Sequence, residues 1–357
     1  MLRYVLGMDV SKKDISLALL KDNHFFEKII PNSLAGFKEI LNFLQKHNAL
    51  KAECFLESTG SYSEAVADFL FDHKFIVKVV NPFKIKSFSR SRLSRIKTDK
   101  KDAQLIAEYG TVSSNDSDYQ KPSEAVRSIH SLYRTYLAQT KMSSQCKNHI
   151  EHATNELDKN VWTETLSEFE LRRKKIVNQI IDLINTDKKL KTQFENLQSI
   201  DGIAEISAIA ILAEVQSVDK FVNARQLAAY CGLTPRICES GTSVHKKPRI
   251  SKFGNSFLRN ALYFPAIVAT QRCEQFHRYS QKLLSRGKAK KQIIVAVMKK
   301  ILLAAFAILK YDCKFDSDLI VPVHQKERQK RQNELGSEVS RNSRTNQRKR
   351  CSHRMKQ

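Results

Sequence analysis

Tyr4-Val5-Leu6-Gly7-Met8-Asp9-Val10 is an apolar run interrupted by one acid near its end. Its length and composition predict a buried strand, and Asp9 is the residue that burial alone does not explain. Ser11-Lys12-Lys13-Asp14 reads as a turn, residues 15–20 as a second strand and 25–30 as a third, forming a meander. Residues 33–47 follow, with Leu34, Phe37, Ile40, Leu41 and Leu44 at helical spacing. Cys54-Phe55-Leu56-Glu57-Ser58-Thr59-Gly60 is another apolar strand ending in an acid, and it leads into a helix over 62–72. Residues 76–80 form a further strand, stopped by Asn81-Pro82.

Three strands, helix, strand, helix, strand, helix is the order of an α/β RNase H-like domain. In that order Asp9 and Glu57 fall on neighbouring central strands. Downstream, Lys97-Thr98-Asp99-Lys100-Lys101-Asp102-Ala103 opens a helical run. Asp99 and Asp102 are three residues apart, which stacks them on one helix face about 5–6 Å apart at Cβ. Taken alone the stretch is a capped helix start, with Asp99 as N-cap and Asp102 favoured by the helix dipole. Asp9 alone suits a turn, and Glu57 alone a strand end in solvent. Folded back together, four carboxylates repel strongly at neutral pH unless a divalent cation joins them. The surrounding Arg95, Lys97, Lys100 and Lys101 suit a nucleic-acid backbone. The combination predicts a Mg²⁺ site for phosphodiester chemistry.

Composition points to the same class of partner. Lys plus Arg is 61 against 37 for Asp plus Glu, a formal charge of +24. An excess of that size favours a polyanion, most simply nucleic acid. The most apolar run, residues 293–309, contains Lys299 and Lys300 and is expected to be a buried helix, not a membrane span. The N-terminal apolar stretch is cut short by Asp9, so no signal peptide is expected and the protein is placed in the cytoplasm. Seven scattered cysteines without a Cys-x-x-Cys pair fit reduced thiols better than disulfides or zinc.

The chain divides into 1–115, a helical arm over 122–196, a mainly α unit over 197–315, and a polar, basic tail over 322–357 that is expected to be disordered. In the arm, Ile129, Leu132, Tyr133, Tyr136 and Leu137 form one stripe, and Ile176, Ile180, Leu183 and Ile184 another. Two long helices joined near 155–163 serve equally as a structural hairpin or as a dimerisation or nucleic-acid-spanning arm. Leu197-Gln198-Ser199-Ile200-Asp201-Gly202-Ile203-Ala204-Glu205 resembles a helix-hairpin-helix, whose turn amides can hold a DNA phosphate, although Glu205 is less basic than such a turn prefers. Residues 235–255 are polar and densely basic between two apolar helical regions, and are expected to form a functional loop. There Ser240 precedes Gly241, and Lys246, Lys247, Arg249 and Lys252 are candidates to grip phosphates. A serine in a turn beside a basic loop is the plainer reading of composition alone.

With these segments in hand, the chain resembles the DEDD transposases of bridge-RNA-guided insertion sequences, the group that includes the Piv DNA invertases. The resemblance rests on Gly7-Met8-Asp9-Val10-Ser11-Lys12, Leu56-Glu57-Ser58-Thr59-Gly60 and the stretch from Lys97 to Ala103. It continues through Ile200-Asp201-Gly202-Ile203, Gly232-Leu233-Thr234-Pro235-Arg236, Ser240-Gly241-Thr242-Ser243, and Ile250-Ser251-Lys252-Phe253-Gly254-Asn255 with Arg259. It implies a RuvC-like domain whose Asp9, Glu57, Asp99 and Asp102 bind Mg²⁺, and a C-terminal transposase domain whose Ser240 is the nucleophile. Lys97, Lys100, Lys246, Lys247, Arg249, Lys252 and Arg259 are the candidate nucleic-acid contacts. The resemblance also implies duplex DNA as substrate, a noncoding guide RNA, and a homo-oligomer, dimer to tetramer, with active sites shared between subunits. A RuvC-like hydrolytic junction nuclease and an inactive DNA- or RNA-binding protein are the alternatives.

Overall fold

The computed structural model describes residues 4–58, 60–92, 98–113, 116, 118–240 and 244–316. Lys97, the tip at 241–243 and the tail over 322–357 lie outside the described residues, as do the side chains of Ser240, Lys246 and Lys247.

The N-terminal strands are β1 (Val5–Val10), β2 (Asp14–Lys21), β3 (His24–Pro31), β4 (Glu53–Glu57) and β5 (Val77–Val80). They form one sheet in the order β3-β2-β1-β4-β5. The meander is antiparallel, whereas β1, β4 and β5 run parallel. This mixed sheet with helices on both faces fits the RNase H-like expectation. Helices α1 (Leu34–Lys46) and α2 (Ser61–Asp72) cover one face, burying Phe37, Ile40, Leu44, Val66 and Leu70 against Leu6, Met8 and Leu56. The α1 stripe is rotated from the expected one. Phe43 is buried in place of Leu34, which is largely exposed.

Asn81-Pro82 does more than stop β5. Asn81 caps a helix unforeseen in the sequence, α3 (Pro82–Ser91), accepting from the Phe83 amide, with Pro82 at the first helical position. The acid-bearing helix, α4 (Asp99–Val112), begins earlier than expected, and its N-cap is Thr98 rather than Asp99. The Thr98 hydroxyl accepts from the Lys101 amide at 3.3 Å. Both acids therefore lie inside the first turn, where the helix dipole favours them.

α4 packs on the second sheet face against Val5 and Phe55. The contact is unusually close because Gly7 has no side chain. A Cβ at Gly7 would lie 2.2 Å from the Ala103 carbonyl oxygen and 2.4 Å from the Ala107 nitrogen. A second glycine, Gly110, gives the far end of α4 room against Val5 and Phe55. Asp116 clasps that end. Its carboxylate accepts from Tyr109 at 2.7 Å, from Ser113 and from Lys84 of α3, and its carbonyl accepts from buried Lys78 of β5 at 3.0 Å. Burial alone would raise the Asp116 pKa, but the Lys84, Ser113 and Tyr109 hydrogen bonds outweigh it and hold the carboxyl below its ordinary value.

The remaining helices are α5 (Glu124–His152), α6 (Glu156–Thr186), α7 (Lys188–Gln198), α8 (Glu205–Val215), α9 (Ala224–Tyr230), α10 (Ser256–Ala261), α11 (Tyr263–Arg272), α12 (Glu274–Leu284) and α13 (Lys290–Tyr311). The α5–α6 joint lies at 153–155, and Trp162 stacks on His149 within the pair at 4.2 Å. Val126, Ile129, Ile176 and Ile180 share one core with α8 and α13, so the base of the arm and the C-terminal helices bury a common apolar surface. α13 is long and apolar enough to cross a membrane, yet Ile293, Val297, Ile301 and Leu309 are buried in that core. Among the described cysteines, Cys54, Cys146, Cys231 and Cys273 are buried, Cys313 is exposed, and all are free. The expected loop over 235–255 instead contains a hairpin, β6 (Pro235–Ser240) with β7 (Val244–Ile250). Backbone pairing satisfies the peptide groups of this polar stretch without apolar side chains.

Two variants test how α4 is held. Gly7→Val is expected to destabilise the chain by about 3 kcal/mol, since the clash is with helix backbone that cannot yield. Asp116→Ala, which strands three donors, is expected to cost about 2 kcal/mol. Because the folded Asp116 pKa is depressed, its contribution is complete above the ordinary carboxylate value of ~4 and is lost as pH falls through the lower folded value. Urea titrations from neutral to acid pH are expected to show the wild type converging on Asp116→Asn at the acid end.

Candidate active site

Strand alternation puts Val5, Gly7 and Asp9 on one face of β1, and Phe55 and Glu57 on the same face of β4. This is the face covered by α4. The β1–β4 ladder pairs Gly7 with Phe55 and Met8 with Leu56, so Asp9 and Glu57 are next in register. Both sit at the carboxyl edge of the parallel strands, where open α/β sheets place their ligands. Both are half-buried.

The acid-bearing turn of α4 follows from its contacts. Gly110 lies on Val5, while Ala103 and Ala107 lie on Gly7, so the helix runs antiparallel to β1. Two strand residues advance about 6.7 Å, equal to roughly 4–5 helical residues. The next such step brings the first turn, with Asp99 and Asp102, over Asp9. Asp102 is half-buried, whereas Asp99, Lys100 and Lys101 are exposed. Lys12 and Lys13 are exposed just beyond the strand end. The edge thus presents carboxylates flanked by solvated cations. Among the described residues, however, no three His, Cys, Asp or Glu side chains form a group able to hold a metal ion. The donors are all hard carboxylate oxygens, which suit a Mg²⁺-type ion. Asp9 and Glu57 lie on neighbouring strands, and Asp99 and Asp102 on one helix turn.

Ser240 ends β6, and its Cα pairs in register with Val244. The foot of this hairpin is tightly clasped. The Ser251 amide donates to the Thr234 carbonyl at 2.8 Å, Lys252 to Gly232 at 3.1 Å and Asn255 to Tyr230 at 2.7 Å. Gly254 has φ +141°, and a Cβ there would lie 2.1 Å from the Tyr230 oxygen, so glycine is required. Arg249 and Lys252 are exposed. Arg259 directs one Nη1 inward to the Cys231 carbonyl at 2.9 Å and to the Lys252 carbonyl at 3.4 Å. That hydrogen commitment makes it a brace for the foot. Phe253 stacks on Phe83 of α3 at 4.0 Å, joining the foot to the helix that precedes the acid-bearing one.

Where a helix-hairpin-helix-like element is expected from the sequence, α7 and α8 are joined by a turn with Gly202 at φ +94°. A Cβ at Gly202 would lie 2.5 Å from the Pro265 carbonyl oxygen, so one side of the turn is filled by α11. The described turn surface carries Asp201 and Glu205, both exposed, rather than cations.

Sequence reading passed over the buried polar groups. Glu214 is 2% exposed near the end of the apolar helix α8 and pairs with Arg134 of α5. An acid inside the run Ile209-Ala210-Ile211-Leu212-Ala213-Glu214-Val215 was the signal available in the sequence.

Residues 6–157 match a family described as "Transposase", the DEDD transposases of IS110 type, and residues 194–281 match the "Transposase IS116/IS110/IS902 family". The chain is 29% identical over 320 residues to the pilin gene-inverting protein of Moraxella bovis, covering 87% of this chain and 97% of that protein. It is 32% identical over 92 residues to the transposase for insertion sequence element IS1111A of Coxiella burnetii, covering 26% of this chain and 25% of that protein. Among solved structures, RuvC of T. thermophilus in complex with a Holliday junction substrate aligns with a TM-score of 0.26 at 11% identity, covering 33% of this chain and 99% of that one. With both family regions matched in order along the chain, the protein belongs to the IS110 family of DEDD transposases and is a recombinase enzyme acting on DNA.

Proposed function

We propose that this chain cleaves and rejoins DNA strands using Asp9, Glu57, Asp99 and Asp102 as the acids of a Mg²⁺ site and Ser240 as the nucleophile. The observation that carries the reading is that Asp9 and Glu57 share the sheet face on which α4 lies, with the Asp99–Asp102 turn running out over that edge. When bound, Mg²⁺ neutralises charge on the reacting phosphate and makes a hydroxyl more acidic. The residues of the chain supply the rest. The four carboxylates hold the charge that such an ion balances. Lys100, Arg249 and Lys252 offer exposed cations to the DNA backbone, and Lys97, Lys246 and Lys247 are assigned the same role.

The chemistry balances as a transesterification. Ser240 Oγ loses its proton and forms a bond to phosphorus, the bond from phosphorus to one sugar oxygen breaks, and that oxygen leaves as a hydroxyl. One phosphodiester replaces another, so a strand can be rejoined by reversal without an external energy source. A serine hydroxyl is a weak nucleophile near neutral pH and needs this activation. Guide-RNA selection of DNA sites and assembly into a homo-oligomer are part of the reading. The charge of +24 supports binding of more than one polyanion. The exposed Leu157 and Val161 near the far end of the arm support pairing with a second copy.

The test is a denaturing gel of full-length protein, RNA transcribed from the flanks of the gene, Mg²⁺ and labelled junction DNA. A protein–DNA adduct is expected for the wild type and absent for Ser240→Ala. Hydrolysed ends without an adduct in the wild type would instead favour a RuvC-like nuclease. Asp9→Ala, Glu57→Ala, Asp99→Ala and Asp102→Ala are each expected to slow cleavage on the order of 100-fold or more. DNA binding by gel shift is expected to persist in these variants. Cleavage at the normal rate in any one of them removes that residue from the site.

A further inference from the structure

We propose that Glu214 and Arg134 are positioning residues, a buried pair through which the arm helix α5 sets the stance of the hairpin foot. The catalytic consequence rests on the reading that this hairpin carries the nucleophile. The positional claim does not. Glu214 is the last acid of α8 and 2% exposed, so an unpaired charge there would be strongly disfavoured. Arg134 meets it with one hydrogen bond and one close ion-pair approach that lacks hydrogen-bond geometry. Nη2 donates to Oε2 at 2.8 Å, and Nε lies 2.8 Å from Oε1. The Arg134 guanidinium also lies 3.5 Å from the ring centroid of Phe257, on α10 immediately after the foot.

The carboxylate has a second task. Asn255 Nδ2 donates to the same Oε2 at 2.6 Å and lies 3.2 Å from the Tyr230 hydroxyl. Asn255 Oδ1 accepts from the Leu258 amide at 3.0 Å, capping α10. That cap fixes which end of the amide faces Glu214, because only its NH₂ end can donate to a carboxylate. Asn255 is also the residue whose own amide closes the foot on Tyr230. One oxygen therefore receives the arm from one side and the end of the hairpin from the other. A carboxylate present only to satisfy Arg134 would make no contact with the foot. A shift of α5 is passed to Asn255 through a single buried atom, with no flexible linker between.

Buried ion pairs can often be exchanged for apolar pairs of similar volume without loss of folding. This separates a positioning role from a stabilising one. In the full-length protein, Arg134→Met/Glu214→Leu is expected to keep a thermal midpoint within a few degrees of the wild type. Hydrogen exchange of the Ser251, Lys252 and Asn255 amides is expected to speed up at least about 10-fold while core α8 amides are unchanged. Adduct formation with junction DNA is expected to slow by about 10-fold or more. Glu214→Gln keeps an acceptor for Asn255 but removes the counter-charge of Arg134, so it is expected to lower the thermal midpoint while its foot amides stay closer to wild-type exchange than those of the double variant. Asn255→Ser keeps a helix cap but withdraws the reach to Glu214, so it is expected to reproduce the faster foot exchange even if the double variant fails to fold. Wild-type exchange at the foot in either folded variant would overturn the inference. Fast foot exchange with normal adduct formation, together with a normal adduct in Ser240→Ala, would uphold the positional claim and sink the nucleophile reading instead.

Discussion

The contact of α4 with β1 across Gly7 is the constraint on which the rest of the site depends. A helix normally rides on a sheet at the distance set by side chains between them. Here the Ala103 carbonyl and the Ala107 amide lie where the first atom of any side chain on Gly7 would be. The helix is drawn down onto the strand, and small residues on its lower face accept the approach. Its first turn is then carried beyond the strand to the sheet edge where Asp9 and Glu57 lie. The Asp116 clasp fixes the other end, its carboxylate tying α3 to α4 and its backbone carbonyl holding Lys78 of β5. Lateral position is set by two glycines, and axial position by one buried acid.

The C-terminal half solves a different problem. A polar, basic hairpin has little apolar surface of its own, and two strands alone are marginal in water. Its rigidity comes from the foot, where backbone hydrogen bonds cross from one leg to the other and Arg259 braces the Cys231 carbonyl. The foot in turn stands on Glu214, which the apolar helix α8 holds out of water. The flexible-looking segment is thus mounted on one of the most buried helices of the chain. The Phe83–Phe253 stack then sets this foot beside α3, so the two halves meet at the elements closest to their candidate chemistry.

Charge follows the same logic. Among the described residues, cations such as Lys12, Lys13, Lys100, Lys101, Arg249 and Lys252 are exposed, where nucleic acid can use them. A few acids have a specific partner or face: Asp116 against Lys84, Glu214 against Arg134, and the candidate acids at the sheet edge. In a chain this basic, grouped carboxylates are the informative residues.

Much of this was legible in the sequence. The alternation and spacing of apolar residues fixed the strand order and the helical arm, because period-two and period-3.6 patterns are local signals. Asp9 and Glu57 stood out as acids in apolar runs, and the pairing of their strands follows from the order of elements. The sequence alone also marked 235–255 as a polar, basic segment distinct from the apolar helices around it. Tertiary structure decided what no local pattern encodes. The hairpin in place of a loop arises from cross-strand backbone pairing, to which side-chain hydropathy is blind. The rotation of α1 that buries Phe43 and exposes Leu34 was set by the sheet it packs on. The placing of Arg259 Nη1 beside the Cys231 carbonyl is likewise a contact across the fold that no local pattern encodes. The joining of Arg134, Glu214 and Asn255 links residues up to 121 positions apart, and only the packed core makes their charges neighbours.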